Sequence, residues 1–313
     1  MSKHDSEREG VSRRHALECM IWAGTGMVWT VAGGIPRSTM IGEARAAEAA
    51  SFSFLQLSDS HIGFDKPANP DPTATLKEAI AKAAALPVKP AFMIHTGDIT
   101  HLSRDKEFDD VAQMLSTTGL HGFYVPGEHD VIDEGTGKAY LDRYGTKETK
   151  GAGWYSFDHN GVHFIGLVNV LNLKAGGLGF LGEEQLAWLA ADLESRPAST
   201  PIVVFAHVPL WTVYPEWGWG TDDGAKALAL LKRFGSVTVL NGHIHQIVQK
   251  VEGNMTFHTA RSTAFPQPGP GAAASPGPMK VPAEDLRKML GLTSVSFVRG
   301  DKPLAVVDQT LAG

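Results

Sequence analysis

Short apolar runs and amphipathic stretches alternate through most of this chain. Residues 52–57, 91–94, 122–126, 201–206 and 237–240 are largely apolar and four to six residues long, the length of a buried strand. Between them, residues 73–86, 104–115, 138–144, 182–194 and 221–234 have helical spacing. The first of these stops before Pro87, and the fourth carries Leu186, Leu189 and Leu193 on one side. Residues 154–158 and 162–168 predict a hairpin turning at His159-Asn160-Gly161, because Asn-Gly tolerates the backbone of a tight turn. Beyond residue 240 short strands dominate, around 247–251, 255–259, 294–298 and 304–307. The whole predicts an α/β sandwich, with parallel pairing early and antiparallel pairing late. Residues 265–278, rich in Pro, Gly and Ala, predict an irregular surface loop.

The residues at the strand ends change the picture. Five apolar runs end in residues able to carry chemistry: Asp59 and His61, Asp98, Glu128-His129-Asp130, His207, and His243 with His245. Functional groups of open α/β sheets collect at the carboxyl ends of the strands. Each cluster alone is weak, since Gly97-Asp98 reads as a turn and a single His at a strand end is more often structural. Five in one chain point to convergence. The only cysteine is Cys19, so any metal in the body of the protein takes oxygen and imidazole ligands, a donor set suited to Fe, Mn or Zn. Two such ions about 3.5–4 Å apart generate a bridging hydroxide and clamp the oxygens of an in-line phosphoryl displacement. His129 is then the candidate to protonate the leaving oxygen, and Asp130 the candidate to hold its imidazole in one tautomer. The net charge of −6 argues against a general nucleic-acid surface; an anionic substrate needs a local cation.

Residues 1–46 read as an export segment. A polar start contains Arg13-Arg14, an apolar run comes next from about Cys19, and Ala-x-Ala steps stand at Ala44-Arg45-Ala46 and Ala47-Glu48-Ala49. The paired arginines resemble a twin-arginine signal, which implies passage through an export machinery to the periplasm or the outside of a bacterial cell. Residues 47–313 are expected to form one domain.

Taken together, Asp59-x-His61, Gly97-Asp98, Gly127-Glu128-His129-Asp130, His207 and Gly242-His243-Ile244-His245 resemble the calcineurin-like metallophosphoesterase superfamily. The phrasing around Asp98 is similar to its cyclic-nucleotide phosphodiesterase branch. The resemblance implies a four-layer α/β/β/α sandwich, two metal ions and a small-molecule phosphoester substrate. Asp59, His61 and His245 are implied for one metal, His207 and His243 for the other together with the residue at 128, and Asp98 for a bridge. The family carries Asn where this chain has Glu128. A carboxylate there brings negative charge close to a substrate phosphate, so a binding protein with weakened catalysis is the alternative to a mono- or diesterase.

Some residues stand outside the pattern. Trp211, Tyr214, Trp217 and Trp219 form either an aromatic wall over the site or a plug that holds down a long loop. His95 and His101 flank Asp98, and Arg261 with Ser262 could reach an anion.

Overall fold

The computed structural model describes residues 27–32, 35–40, 51–132, 137–298 and 304–312. Two compact units emerge. In the smaller, β1 (Met27–Ala32) and β2 (Ile35–Met40) pair antiparallel. The rest of residues 1–46, which the sequence suggests are an export segment, lies outside the described residues.

The larger unit is built on two sheets. One holds five strands in the order β13 (Ala305–Thr310), β12 (Gly291–Phe297), β3 (Phe52–Leu57), β4 (Met93–His95), β5 (Gly122–Tyr124). The other holds six, in the order β10 (Gln249–Glu252), β11 (Met255–Thr259), β9 (Val237–Asn241), β8 (Ile202–Phe205), β7 (Val162–Gly166), β6 (Tyr155–His159). Strands β3, β4 and β5 run parallel, as do β7, β8, β9 and β11, while β6, β10, β12 and β13 pair antiparallel with a neighbour.

Alternation along the strands divides the side chains between layers. Phe54 and Ile94 of one sheet meet Phe164, Val203, Phe205 and Leu240 of the other in a shared core. Leu55, Leu57 and Met93 point the opposite way. They pack under α1 (Pro72–Ala84), α2 (Asp105–Ser116) and α3 (Lys138–Tyr144), through Leu76, Phe108, Val111 and Tyr140. On the far side, Ile202, Val204 and Val239 pack under α4 (Glu183–Glu194) and α5 (Gly224–Leu231), through Leu189, Leu193, Ala227 and Leu231. The result is a four-layer α/β/β/α sandwich. Near-continuous burial of β3, β8 and β9 is what a sheet covered on both faces requires.

Two details differ from the sequence reading. Residues 283–289 form a further helix, α6 (Ala283–Met289), in a stretch whose single buried residue, Leu286, leaves no apolar periodicity to read. The first helix begins at Pro72, where the Asp71 carboxylate accepts a hydrogen bond from the Ala74 amide at 2.9 Å. A polar tie also joins the two sheets: His258 Nε2 lies 2.9 Å from Asp308 Oδ2, and Thr293 donates to Asp308 Oδ1 at 2.7 Å.

Candidate metal centre

All five chemistry-bearing loops leave parallel strands at the same edge. β3 leads to Asp59 and His61, β4 to Asp98, β5 to Glu128, β8 to His207 and β9 to His243 and His245. Backbone and side-chain bonds stitch the two sheets together here. The His243 amide donates to Asp59 Oδ1 at 3.0 Å, and Gln56 Nε2 donates to the Asn241 carbonyl at 3.2 Å.

The local backbone is strained. Among the described residues, seven non-glycine residues have positive φ, and five of them are Asp59, Asp98, His61, His243 and His245. Such angles cost of order 1 kcal/mol or more each and persist where surrounding structure enforces them, typically at functional sites. The glycines show the crowding. A Cβ on Gly127 would meet Asp98 Oδ1 at 2.1 Å, and one on Gly242 would meet Ser58 Oγ at 2.1 Å and Asp59 Oδ2 at 2.6 Å.

The side chains converge in two groups. Asp59, His61, Asp98 and His245 each offer an atom within 4.8 Å of the others, and so do Glu128, His207 and His243. Asp98 stands between them. Its Oδ2 lies 3.3 Å from His61 Nε2 and 3.5 Å from His207 Nε2, while Oδ1 accepts from the His129 amide at 3.0 Å. Glu128 reaches into the second group, with Oε2 at 2.9 Å from His207 Nε2 and Oε1 at 3.0 Å from His243 Nδ1. His245 Nε2 is 3.2 Å from Asp59 Oδ1.

The donor set fits cations. His207 Nδ1 donates to the Thr96 carbonyl at 2.7 Å, and His245 Nδ1 to the Phe265 carbonyl at 2.5 Å. Each bond commits Nδ1 as a donor, so that Nε2 is the nitrogen left to turn a lone pair to a metal at the centre. His207 Nε2, His243 Nδ1 and Glu128 Oε2 are buried and have no hydrogen-bond partner among the described residues, despite their close approach to one another. Buried polar atoms left this way are costly unless a cation takes them up. The charges are arranged to match. Burial works to raise the Glu128 pKa, but the imidazoles of His243 and His207 pull it well below the ordinary carboxylate value. Burial works to lower that of His207, and the carboxylates of Asp98 and Glu128 raise it well above the ordinary imidazole value. Metals binding here would displace those protons.

His129 sits beside this cluster, its ring edge-on to His61 with centroids 4.8 Å apart. Burial disfavours its charged form, and the carboxylates of Asp98 and Glu128 more than offset this, raising its pKa. Its Nδ1 lies 2.8 Å from the His101 carbonyl, to which it donates. Here the structure corrects the sequence reading: Asp130 does not orient the imidazole. Its carboxylate accepts from the amides of Ile99 at 3.0 Å, Thr100 at 2.8 Å and Gly127 at 3.0 Å, and from the Thr100 hydroxyl at 2.9 Å. A one-turn 3-10 helix over Glu128–Asp130 turns the Asp130 side chain back toward the Asp98 loop. Burial and the neighbouring Asp98 charge push its carboxyl up to about 6.

A cleft of about 390 Å³ opens above the cluster, with His61, Asp98, Glu128, His129 and His243 in its floor and Trp217, Phe265, Gln267 and Lys66 among its walls. The aromatic group divides. Trp211 packs on Phe257 in the core at 4.9 Å, whereas Trp217 and Trp219 line the cleft. Arg261 faces away, donating to the Met289 carbonyl at 3.2 Å, and Ser262 is buried with its hydroxyl on the Asp59 carbonyl at 2.7 Å, so neither lines it. His95 is buried against Ser60 Oγ at 2.8 Å. Lys66 escapes a reading of strand ends, although it stands only five residues beyond His61 on the same loop.

The chain is similar to known proteins in sequence and in fold. The profile described as calcineurin-like phosphoesterase matches residues 52–247. A glycerophosphodiester phosphodiesterase, GpdQ, of Enterobacter lignolyticus is 25% identical over 206 residues, covering 63% of this chain and 71% of its own. A protein of Rhodopseudomonas palustris named a probable cyclic nucleotide phosphodiesterase is 23% identical over 199 residues, covering 62% and 71%. In fold, a dimetal phosphatase from Danio rerio superposes with a TM-score of 0.65 at 14% identity, over 83% of this chain and 96% of that one. The purple acid phosphatase of yellow lupin seeds gives 0.59 at 13%, over 84% and 52%. With more than half of its length matched by the family profile, and with the sandwich that the profile's fold requires, the chain belongs to the calcineurin-like phosphoesterases and is a phosphoric ester hydrolase.

Proposed function

We propose that the protein hydrolyses a small phosphodiester at a pair of metal ions, one held by Asp59, His61, Asp98 and His245 and the other by Asp98, Glu128, His207 and His243. The observation that carries this reading is the meeting of the two donor groups at Asp98 Oδ2. Bound there, two ions of the Fe, Mn or Zn type supply Lewis acidity and an activated water. The chain supplies the rest. His129, held at Nδ1 by the His101 carbonyl, has Nε2 left to give a proton to the departing oxygen. Lys66 in the cleft wall offers an ammonium to an anionic substrate on a protein of net charge −6. The names of the relatives favour a diester over a monoester.

Metal analysis with hydrolysis of bis(p-nitrophenyl) phosphate tests this. Two metals per chain, turnover abolished by chelation and restored by Mn, Fe or Zn, and a drop of about a hundredfold or more in kcat for His129→Ala with metals retained are expected. A folded chain with two metals and no turnover of any phosphoester would overturn it.

Residues 1–46 are proposed to direct export, on the strength of Arg13-Arg14 and the apolar run behind them. Replacing both arginines by lysine should hold the protein in the cytoplasm; unchanged export would count against a twin-arginine route.

A further inference from the structure

A second hollow touches the metal centre. It is a groove of about 550 Å³ that meets the cleft at Glu128, His129 and Leu173 and runs away from it along Val131, Ile132, Val170 and Leu171. Apart from Glu128 and His129, every described side chain that lines it is aliphatic. Its floor is firm, because Val131 and Val170 are buried in a small cluster with Trp154, Val168 and Val208, against which Leu171 packs. On its rim, Ile132 is 51% exposed and Leu173 43% exposed. Large apolar side chains left open to water beside a reactive centre mark a binding surface.

We propose that this groove takes an apolar ester arm of the substrate, so that the preferred substrate is a phosphodiester with one alkyl or aryl arm. This rests on the phosphodiesterase reading above. A diester at the metal centre has two organic arms to place, and two hollows diverge from His129. The cleft offers Lys66, Gln267 and the Trp217 indole, which suit a polar or planar group. Among the described residues, the groove is lined by no polar side chain beyond Glu128 and His129 of the centre itself. A glycerol, sugar or base placed there would lose its water and gain no replacement bonds, whereas an alkyl or aryl arm loses nothing and removes Ile132 and Leu173 from water.

The test uses the full metal-reconstituted chain and two p-nitrophenyl diesters that differ only in the second arm, methyl or hexyl. The hexyl ester is expected to have a kcat/KM at least about tenfold higher, since each buried methylene is worth a factor of roughly four and the groove is open on one side. Ile132→Ser should cut that hexyl-to-methyl ratio by about threefold or more. Equal kcat/KM for the two esters, or a ratio that Ile132→Ser leaves alone, would overturn the groove assignment while leaving the phosphodiesterase reading intact. Binding is measured separately by calorimetry with hexyl and methyl esters of methylphosphonic acid. If no diester turns over, the phosphodiesterase reading fails, and the groove assignment then stands or falls on whether the hexyl phosphonate binds about tenfold more tightly than the methyl one and loses that advantage in Ile132→Ser.

Discussion

Asp130 and Thr100, thirty positions apart, are joined twice: the Asp130 carboxylate accepts both the amide and the hydroxyl of Thr100. With the bonds from Ile99 and Gly127, this makes Asp130 the clamp between the loop that carries Asp98 and the loop that carries Glu128. Asp130→Ala leaves three buried amides without an acceptor. The expected cost is about 3 kcal/mol or more of unfolding free energy, read from urea denaturation, together with weakened metal binding. His129→Ala should do the reverse, keeping stability within about 1 kcal/mol while turnover collapses. Equal losses of stability in the two variants would contradict these separate roles.

Gly127 tests the crowding. Its backbone φ of −95° suits any residue, yet an added Cβ would sit 2.1 Å from Asp98 Oδ1 and 2.3 Å from the Asp98 amide. Gly127→Ala should therefore push the Asp98 loop away and lose at least one metal by elemental analysis, with a stability loss of about 1–3 kcal/mol. Gly269→Ala, where an added Cβ has nothing within 4 Å, is the control and should change stability by no more than about 1 kcal/mol.

Glu128 tests the second of the two proposed metal sites. Glu128→Ala removes one of the four donors proposed for the second metal and is expected to yield about one metal per chain under conditions that load two into the parent. Glu128→Asn keeps an oxygen donor and removes a charge from beside the substrate. It should bind the second metal more weakly and, at saturating metal, raise kcat/KM for an anionic diester by about tenfold. A fall in kcat/KM at full occupancy would mean that the carboxylate is needed for turnover.

Acid should weaken the fold through the His258–Asp308 tie between the two sheets. Burial raises the Asp308 pKa, but the bonds and charges of His258, Thr293 and Arg261 more than reverse this, leaving it below the ordinary 3.8. A carboxyl depressed in the folded state contributes stability that is complete above its unfolded pKa and is lost as pH falls through the folded one. Unfolding free energy should thus drop as pH falls below about 4, and Asp308→Asn should flatten that drop. An unchanged slope would show that the tie between β11 and β13 does not respond to pH.

The loops that converge at the candidate centre are legible because metal chemistry restricts residue type, and because a strand ending in Asp or His leaves a local mark. Helices α1, α2 and α4 were legible from apolar spacing. What could not be read were relationships set by distance in space rather than in sequence. The partner of His129 is a backbone carbonyl at position 101, and a carbonyl carries no residue identity. Asp130 sits where an orienting carboxylate would be sought, but a single 3-10 turn sends it the other way. Trp211 and Trp217 look alike in sequence and separate only once the loop folds, one into the core and one into the cleft.

The glycines at 127 and 242 have a consequence for anyone moving this site to another scaffold. Each one lacks a side chain because polar groups from a different loop occupy that space: the Asp98 carboxylate against Gly127, the Ser58 hydroxyl and the Asp59 carboxylate against Gly242. The loops are keyed to one another like wards in a lock. Transplanting one alone would bring a notch without the tooth that fills it, so the loops after β3, β4, β5 and β9 have to travel as a set.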